Sequence, residues 1–130
     1  MRRALLMALP LLILSGCASA GDHPSELADS SWSFTTIDGD APVSGKAKLT
    51  FEGEKIGANV GCNGMGGPWR LDGGRLIAGP LVQTQMYCDG PVWDQEKAVG
   101  ALLAAAPKFS VKGDLMTIES RGHSAELLRE

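Results

Sequence analysis

The chain has 130 residues and a slight acidic excess, with 12 Lys and Arg against 15 Asp and Glu and a formal net charge of −3. That length suits one domain with a modest hydrophobic core. Because Lys and Arg form no cluster, the composition argues against nucleic acid or an anionic lipid surface as a partner, since both reward concentrated positive charge.

The first residues have the layout of a secretory signal. Arg2 and Arg3 form a short positive start, an apolar run covers residues 4–13, and the small-residue segment Leu14-Ser15-Gly16-Cys17 follows. The run is about half the ~20 residues that a membrane-spanning helix needs, so we expect a signal at 1–16 and no permanent span. Leu-Ser-Gly-Cys resembles the lipobox of bacterial lipoproteins, which implies cleavage before Cys17 and acylation of that cysteine. The alternative is an ordinary signal in which Cys17 plays no part.

The predicted anchor places the domain beside a membrane. Two or three acyl chains on Cys17 would hold the protein stably, because a single chain binds only marginally. Ala18 follows the cysteine where an aspartate often signals inner-membrane retention, so the resemblance implies the outer membrane, facing the periplasm. Residues 17–30 are small and polar without a hydrophobic period, which predicts a flexible tether before a domain at 31–130.

Most of the domain has the pattern of short strands separated by glycine and aspartate. In several runs apolar residues alternate with polar ones, which gives a strand one buried and one exposed face. These predicted strands cover residues 32–34, 46–51, 56–62, 69–71, 75–78, 80–88, 108–112, 115–119 and 124–129. Asp72-Gly73-Gly74 favours a hairpin, the glycine-rich stretch 64–68 favours a turn, and the last three strands predict an antiparallel meander.

One segment departs from this pattern and predicts a helix. Pro91 can occupy a first helical turn, and Asp94 and Glu96 suit its positive N-terminal end. Apolar residues recur at helical spacing before Pro107 stops the run. They are Val92, Val99, Leu103 and Ala106. The sequence therefore predicts a mainly β, β-rich α+β domain, in which one amphipathic helix covers a small curled antiparallel sheet or barrel.

Two cysteines, Cys62 and Cys88, remain once Cys17 is acylated. Exported domains lie in an oxidising compartment, where an even pair of cysteines usually forms a disulfide. Both cysteines occupy the apolar register of their predicted strands, which favours pairing. The alternative is a redox-active dithiol, which the absence of a Cys-x-x-Cys motif disfavours.

Several short motifs together resemble the META domain, or HslJ-like, family. They are Trp32, Gly61-Cys62-Asn63, Thr84-Gln85-Met86-Tyr87-Cys88 and the helical Glu96. The resemblance covers residues 31–130 and implies a compact β-barrel-like fold with one helix, often found on exported lipoproteins. It also implies a loose association with stress and envelope functions, and it brings no catalytic mechanism. The chain departs from the family pattern at Tyr87 and in the glycine-rich stretch 64–68.

The motif residues also have structural explanations. Asn63 suits a tight turn, because asparagine tolerates left-handed backbone angles, and Thr84 could bond a loop carbonyl from an inward face. Glu96 falls on the apolar stripe of the predicted helix, where a carboxylate needs hydrogen-bond partners. We expect these partners to be backbone amides of a turn such as 61–64. The alternative is that Glu96 is the acid of a catalytic site.

The motifs of common enzymes and metal sites are absent from the sequence. Residues 57–67 lack the Lys-Ser/Thr of a P-loop, no Gly-x-Ser-x-Gly elbow exists, and His23 and His123 have no zinc-site spacing. Met65 and Met86 could hold a soft metal but are expected to fill gaps. The tryptophans could line a pocket but are expected to be core anchors or lids. We therefore assign no catalytic residue, metal or cofactor.

These observations favour a non-enzymatic envelope lipoprotein with a stress-related structural or interaction role. A second class of function is a binding module whose curled sheet holds a small apolar ligand in its mouth, and a third is an enzyme using Glu96. The expected partners are the membrane, reached through the acyl chains, and either an envelope protein or a small apolar ligand. An interaction protein should expose an apolar patch, whereas a ligand carrier should enclose a cavity lined by side chains such as Trp69 and Met86.

Overall fold

The computed structural model describes residues 24–130, so the predicted signal at 1–16, the anchor at Cys17 and the tether residue His23 lie outside the described residues. The described part of the chain forms nine strands and two helices: α1 (Pro24–Leu27), β1 (Ser30–Ile37), β2 (Lys48–Glu52), β3 (Lys55–Asn59), β4 (Gly64–Asp72), β5 (Arg75–Ala78), β6 (Val82–Gln83), α2 (Gly90–Ala104), β7 (Lys108–Lys112), β8 (Leu115–Ser120) and β9 (His123–Arg129). Neither of these helices has the length and apolar character needed to cross a bilayer.

Eight strands close into an antiparallel barrel, which confirms the predicted fold class. They follow one another in the order β1, β2, β3, β4, β5, β7, β8 and β9, and β9 pairs with β1 to complete the circle. The contact between β5 and β7 is the shortest, with Arg75 opposite Lys108 as its one register pair. Two backbone hydrogen bonds flank that pair, from Leu76 N–H to the Pro107 carbonyl (2.9 Å) and from Phe109 N–H to the Gly74 carbonyl (3.0 Å). Strand β6 lies outside the circle, paired with the start of β4.

The alternation of apolar and polar residues places the core as predicted in most strands. Trp32 and Phe34 in β1 are buried, and a register shift after Phe34 turns Ile37 inward. The Asp72-Gly73-Gly74 hairpin forms between β4 and β5 with Gly73 and Gly74 at positive φ, as a two-residue turn requires. The C-terminal meander is also confirmed by β7, β8 and β9.

The stretch 64–68 was predicted as a turn, and this prediction is wrong. It is the first half of β4, with Gly64 to Pro68 opposite Asn59 to Lys55 of β3. A side chain on Gly67 would collide with the Pro80 carbonyl, and one on Gly66 would come within 3.0 Å of the Ile56 carbonyl. Glycine therefore serves here to let neighbouring backbones approach each other.

Two further predictions need correction. Residues 80–88 form a strand only at Val82–Gln83, and Val82, Thr84 and Met86 are exposed where an inward face was expected. The folded part also begins before the predicted boundary at Ser31. Leu27 of α1 is 2% exposed and belongs to the core, so the end of the predicted tether packs onto the domain.

Helix α2 packs against β1, β5, β8 and β9. Its buried residues are Glu96, Ala98, Val99, Leu102 and Leu103. The predicted stripe is confirmed at Val99 and Leu103, whereas Val92 is half-buried and Ala106 lies beyond the end of the helix. The buried residues of α2 pack onto a core that large side chains of the strands fill. These include Trp32, Leu49, Phe51, Ile56, Leu76, Met116, Ile118 and Leu127.

Candidate functional site

Asn63 lies at the centre of a buried hydrogen-bond network. Asn63 is 1% exposed and Glu96 is 2% exposed, and they are the buried polar residues of the described chain. The Asn63 backbone N–H donates to Glu96 Oε1 at 2.5 Å, and Asn63 Nδ2 donates to Glu96 Oε2 at 3.0 Å. Glu96 thus accepts a turn amide, as predicted from its place on the apolar stripe, and it binds the Asn63 side chain as well.

The other polar atoms of Asn63 bind the segment before α2. Its Oδ1 accepts the Met86 N–H (2.8 Å) and the Thr84 hydroxyl (3.1 Å), while Nδ2 also donates to the Met86 carbonyl (3.1 Å). The Thr84 hydroxyl in turn accepts the Gly64 N–H (3.1 Å). Thr84 was expected to face inward and to donate to a loop carbonyl. It is exposed instead, and its hydroxyl donates to the side-chain carbonyl of Asn63. We call Asn63, Thr84, Met86 and Glu96 the Asn63 cluster.

A disulfide between Cys62 and Cys88 flanks the Asn63 cluster, which confirms the predicted pairing. The two Cα atoms are 6.4 Å apart and the residues are separated by 26 positions. Both cysteines lie in loops, after β3 and before α2, and not in strands as predicted. The bond and the Asn63 cluster together join the β3–β4 connection to the residues that lead into α2.

Cys62, Cys88 and Glu96 bring their sulfur and carboxylate atoms within 4.8 Å of one another. Such a group can hold a soft or borderline metal only if its ligand atoms are available. Here the two sulfur atoms are joined to each other, and both carboxylate oxygens accept hydrogen bonds from Asn63. With the disulfide formed, neither sulfur offers a free thiolate to a metal.

The structure brings most of the motif residues together but leaves Trp32 apart. Gly61, at φ 139°, precedes the Asn63 cluster, and a side chain there would come within 2.6 Å of Val92 Cγ2. Trp32 is fully buried in β1, where its Nε1 donates to the Ser30 hydroxyl (2.8 Å) and the Arg129 guanidinium lies 4.4 Å above its ring. Trp32 therefore anchors the core, as expected.

An exposed, uncharged surface includes Thr84 and Met86 of the Asn63 cluster. Val82 is 78% exposed, Met86 58% and Tyr87 87%, and the intervening residues are also exposed. No charged residue occurs from Leu76 to Cys88. We call residues 82–87 the 82–87 face. The sequence pointed to an inward strand here, although its run of 13 uncharged residues was a signal for an interaction surface.

Two grooves border the 82–87 face and share Gln83. One, of about 390 Å³, is lined by Asn63, Gln83, Thr84, Gln85, Met86, Tyr87 and Trp93. The other, of about 420 Å³, is lined by Met65, Ala78, Gly79, Pro80, Leu81, Gln83, Gly100 and Ala104. Trp93, Gly100 and Ala104 come from α2, so the grooves run between the helix and the segment 79–87. Neither groove has a charged lining residue.

Trp69, expected beside Met86 in a ligand cavity, lies elsewhere. Its ring packs edge-on against Phe51 with the centroids 4.8 Å apart, and its Nε1 donates to the Gly53 carbonyl at 2.9 Å. Trp69 is thus a partly buried lid at the β2–β3 turn, remote in the strand register from Met86.

A second polar contact joins the ends of β1 and β9. The Asp38 carboxylate accepts the Ser124 N–H (2.9 Å) and contacts His123 Nδ1 (2.8 Å). Partial burial raises the pKa of Asp38, but the hydrogen bonds from Ser124 and His123 outweigh it, so the pKa lies below its ordinary value of 3.8. His123 acts here as a strand-end partner.

Comparison with known proteins supports the resemblance seen in the motifs. The sequence model of the META domain matches residues 25–130. A protein solved by NMR has a similar fold with a TM-score of 0.74 and 19% identity, covering 83% of this chain and 95% of that one. An NMR structure of a protein from Burkholderia xenovorans has a TM-score of 0.64 and 23% identity, covering 82% and 85% of the two chains. No curated protein matches the sequence significantly.

Proposed function

Because the chain belongs to the META domain family, we propose that it is a non-enzymatic bacterial envelope lipoprotein whose domain binds a partner protein through the 82–87 face. The observation that carries this proposal is the exposure of Val82, Met86 and Tyr87 on a charge-free segment. Exposed apolar residues that form a group are characteristic of interaction sites. Tyrosine and methionine are enriched in interfaces, and charged residues are depleted from their centres.

The Asn63 cluster favours a preformed binding surface. Residues 84 and 86 are tied to Asn63, and Cys88 is bonded to Cys62 directly after them. A surface held in one conformation loses little entropy when a partner binds. Buried polar groups cost stability in a small domain unless they form hydrogen bonds. Holding this surface in one conformation would explain why Glu96 and Asn63 are buried.

The environment of Glu96 supports a non-enzymatic role. Its carboxylate is nearly inaccessible, and both oxygens accept hydrogen bonds from Asn63. A general acid or base must reach a substrate atom within hydrogen-bond distance. Glu96 would have to abandon Asn63 to do so.

A small apolar ligand is the second candidate. The barrel interior is filled by core side chains, but the groove beside Gly100 and Ala104 has an apolar lining that includes Met65 and Leu81. A ligand would therefore bind outside the barrel, under the segment 79–83. Extra mass on the purified protein in native mass spectrometry would favour this candidate over a partner protein.

The proposed anchor is Cys17, with the outer membrane, facing the periplasm, as the expected location. In a bacterial host, the full chain should incorporate labelled palmitate and sediment with membranes, and a Cys17→Ala variant should do neither. If the Cys17→Ala variant no longer sediments with membranes, the acyl chains hold the protein there and the domain itself does not bind the membrane. A wild-type chain that carries no label would overturn the lipoprotein assignment.

Site-specific photocrosslinking in cells tests the proposed interaction. A photoreactive amino acid placed at Val82 or Tyr87 should give discrete crosslinked products. The matched control is Leu128, an exposed apolar residue of β9 outside the 82–87 face. Products from Leu128 alone, or none from Val82 and Tyr87, would contradict the proposal.

A further inference from the structure

Building on the proposed function, we propose that the partner binds as an added β-strand along the free backbone edge of residues 83–87, and that the bound segment is extended and uncharged. The two grooves between the segment 79–87 and α2 would hold the side chains of that segment. The proposal concerns the backbone of the 82–87 face, whereas the interaction role rests on its exposed side chains.

The hydrogen-bond pattern shows which backbone groups are free. Val82 and Gln83 lie opposite Gly66 and Met65 of β4, and the Thr84 N–H donates to the Gly64 carbonyl at 3.0 Å. The Met86 N–H and carbonyl are both bonded to the Asn63 side chain. Even-numbered residues of the segment thus direct their backbone groups toward β4 and Asn63.

In an extended chain, successive residues direct their backbone groups to opposite sides. Gln83, Gln85 and Tyr87 consequently direct theirs away from β4. The N–H groups of Gln85 and Tyr87 have no hydrogen-bond partner among residues 24–130. These alternate free groups are what an incoming strand requires.

Apart from the shortness of β6, which has two residues, this edge lacks the usual protection against strand addition. Exposed edges in soluble proteins generally carry lysine, an inward charge, proline or a bulge. Residues 81–87 contain no charge and no proline, and the Asn63 side chain binds both the N–H and the carbonyl of Met86, as a neighbouring strand would. The asparagine side chain therefore leaves the outer side of the segment open.

The two grooves determine the chemistry of the occupant. The α2 residue of the groove beside 83–87 is Trp93, those of the groove beside 78–83 are Gly100 and Ala104, and neither groove has a charged lining residue. A charged side chain buried there would lose hydration without gaining an ion pair. Small residues on α2 leave room for the side chains of an extended segment.

The position of Asp29, the residue before β1, favours a protein over the bilayer as the occupant. Asp29, close after α1, accepts the Gly53 N–H at 3.2 Å, beside the β2–β3 turn. Strands β3 and β4 run between that turn and Asn63, so the segment 83–87 lies at the opposite end of these strands. Asp29 thus lies at the end of β3 and β4 away from the segment 83–87.

The test is a selection of random octapeptides displayed on phage against the mature protein carrying Cys17→Ala. Selected peptides should be uncharged and rich in β-forming residues. Gln85→Pro removes a free N–H from an extended edge where proline is tolerated, and it should weaken the selected peptides at least about tenfold. Gln85→Ala keeps the N–H and should change their affinity less than about twofold.

A second measurement does not depend on the folding of the proline variant. N-methylation of alternate amides in a selected peptide should abolish binding in one register and preserve it in the other, because only one set of amides faces the protein. Three results would overturn strand addition. They are equal binding of the peptides methylated in the two registers, equal affinity of a selected peptide for Gln85→Pro and Gln85→Ala, and selection of charged peptides.

Other occupants would give distinguishable results. Self-association in sedimentation that Gln85→Pro abolishes would identify a second copy as the occupant. Binding to vesicles of neutral phospholipid would identify the bilayer as the occupant. Either result would overturn the proposal. Crosslinks from Tyr87 that persist in Gln85→Pro would refute strand addition while leaving the interaction role intact. Absence of crosslinks from Val82 and Tyr87 would instead refute the proposed function.

Discussion

Replacing Glu96 by glutamine tests whether its carboxylate maintains the Asn63 cluster. The carboxylate accepts two hydrogen bonds, from Asn63 N–H at 2.5 Å and from Asn63 Nδ2 at 3.0 Å. A glutamine of the same shape presents one oxygen and one NH2 group to these two donors. One donor must then face another, and Asn63 cannot rotate its amide because its oxygen already accepts from Met86 and Thr84.

The expected loss of stability follows from these contacts. Losing a hydrogen bond to a charged group costs about 1.5–3 kcal/mol, and leaving a buried donor without a partner costs about 1–3 kcal/mol. Burying a neutral amide costs less than burying a carboxylate, which offsets part of this loss. We expect the free energy of unfolding to fall by about 2–4 kcal/mol and Tm by roughly 10 °C.

Urea unfolding of wild type and Glu96→Gln, followed by tryptophan fluorescence, measures this difference. The matched control is Glu52→Gln at an exposed position of β2, which should change the free energy of unfolding by less than about 0.5 kcal/mol. A folded Glu96→Gln protein with wild-type stability would refute the structural role of the carboxylate. If such a protein also lost a measurable activity, the enzyme alternative would gain support.

Three further variants probe other parts of the domain. Replacing Cys62 and Cys88 together by alanine should lower the free energy of unfolding by about 3.5 kcal/mol in the chain-entropy model, and a reductant should destabilise wild type but not this variant; a wild type indifferent to reductant would contradict the disulfide's role. Folding lowers the pKa of Asp38 below 3.8, so its contribution is present above that pH and is lost as the pH falls through the folded value. Asp38→Asn should therefore be less stable than wild type at pH 7, by under about 1 kcal/mol because the carboxylate is partly solvated, and urea titrations should show the gap closing toward pH 3; a gap independent of pH would contradict this. Gly67→Ala should cost about 1–3 kcal/mol in urea unfolding because its methyl group would meet the Pro80 carbonyl, whereas Gly45→Ala, with no atom within 4 Å of the new Cβ, should be neutral; equal stability of the two would contradict the packing argument.

Local sequence patterns predicted the elements that bury one face. Alternation located β1 and β2, glycine pairs located the β4–β5 turn, and Pro91 and Pro107 bracketed α2 closely. These features depend on residues near one another in the chain, where periodicity and turn chemistry act directly. The cysteine pairing followed from the expected oxidising compartment, although the register argument for it was wrong.

The missed features depend on contacts between distant residues. Residues 64–67 carry three glycines, which have no side chain to reveal a strand pattern, so only the pairing with β3 shows that they form one. The Asn63–Glu96 contact joins residues 33 positions apart. The position of Glu96 on the apolar stripe predicted that it needs partners, but not that Asn63 provides both donors. The exposed edge at 83–87 exists because an asparagine side chain replaces a strand, which no periodicity records.

The short contact between β5 and β7 makes α2 responsible for keeping the barrel circular. Elsewhere neighbouring strands share several register pairs, but here one pair and two flanking hydrogen bonds complete the circumference. Helix α2 leads directly into β7 through Pro107, whose carbonyl binds Leu76 of β5. If the helix detached, the cylinder could open into a twisted sheet with β5 and β7 as unpaired edges, which are potential sites of aggregation. We therefore expect the barrel to open first at the β5–β7 contact, when α2 detaches from β5.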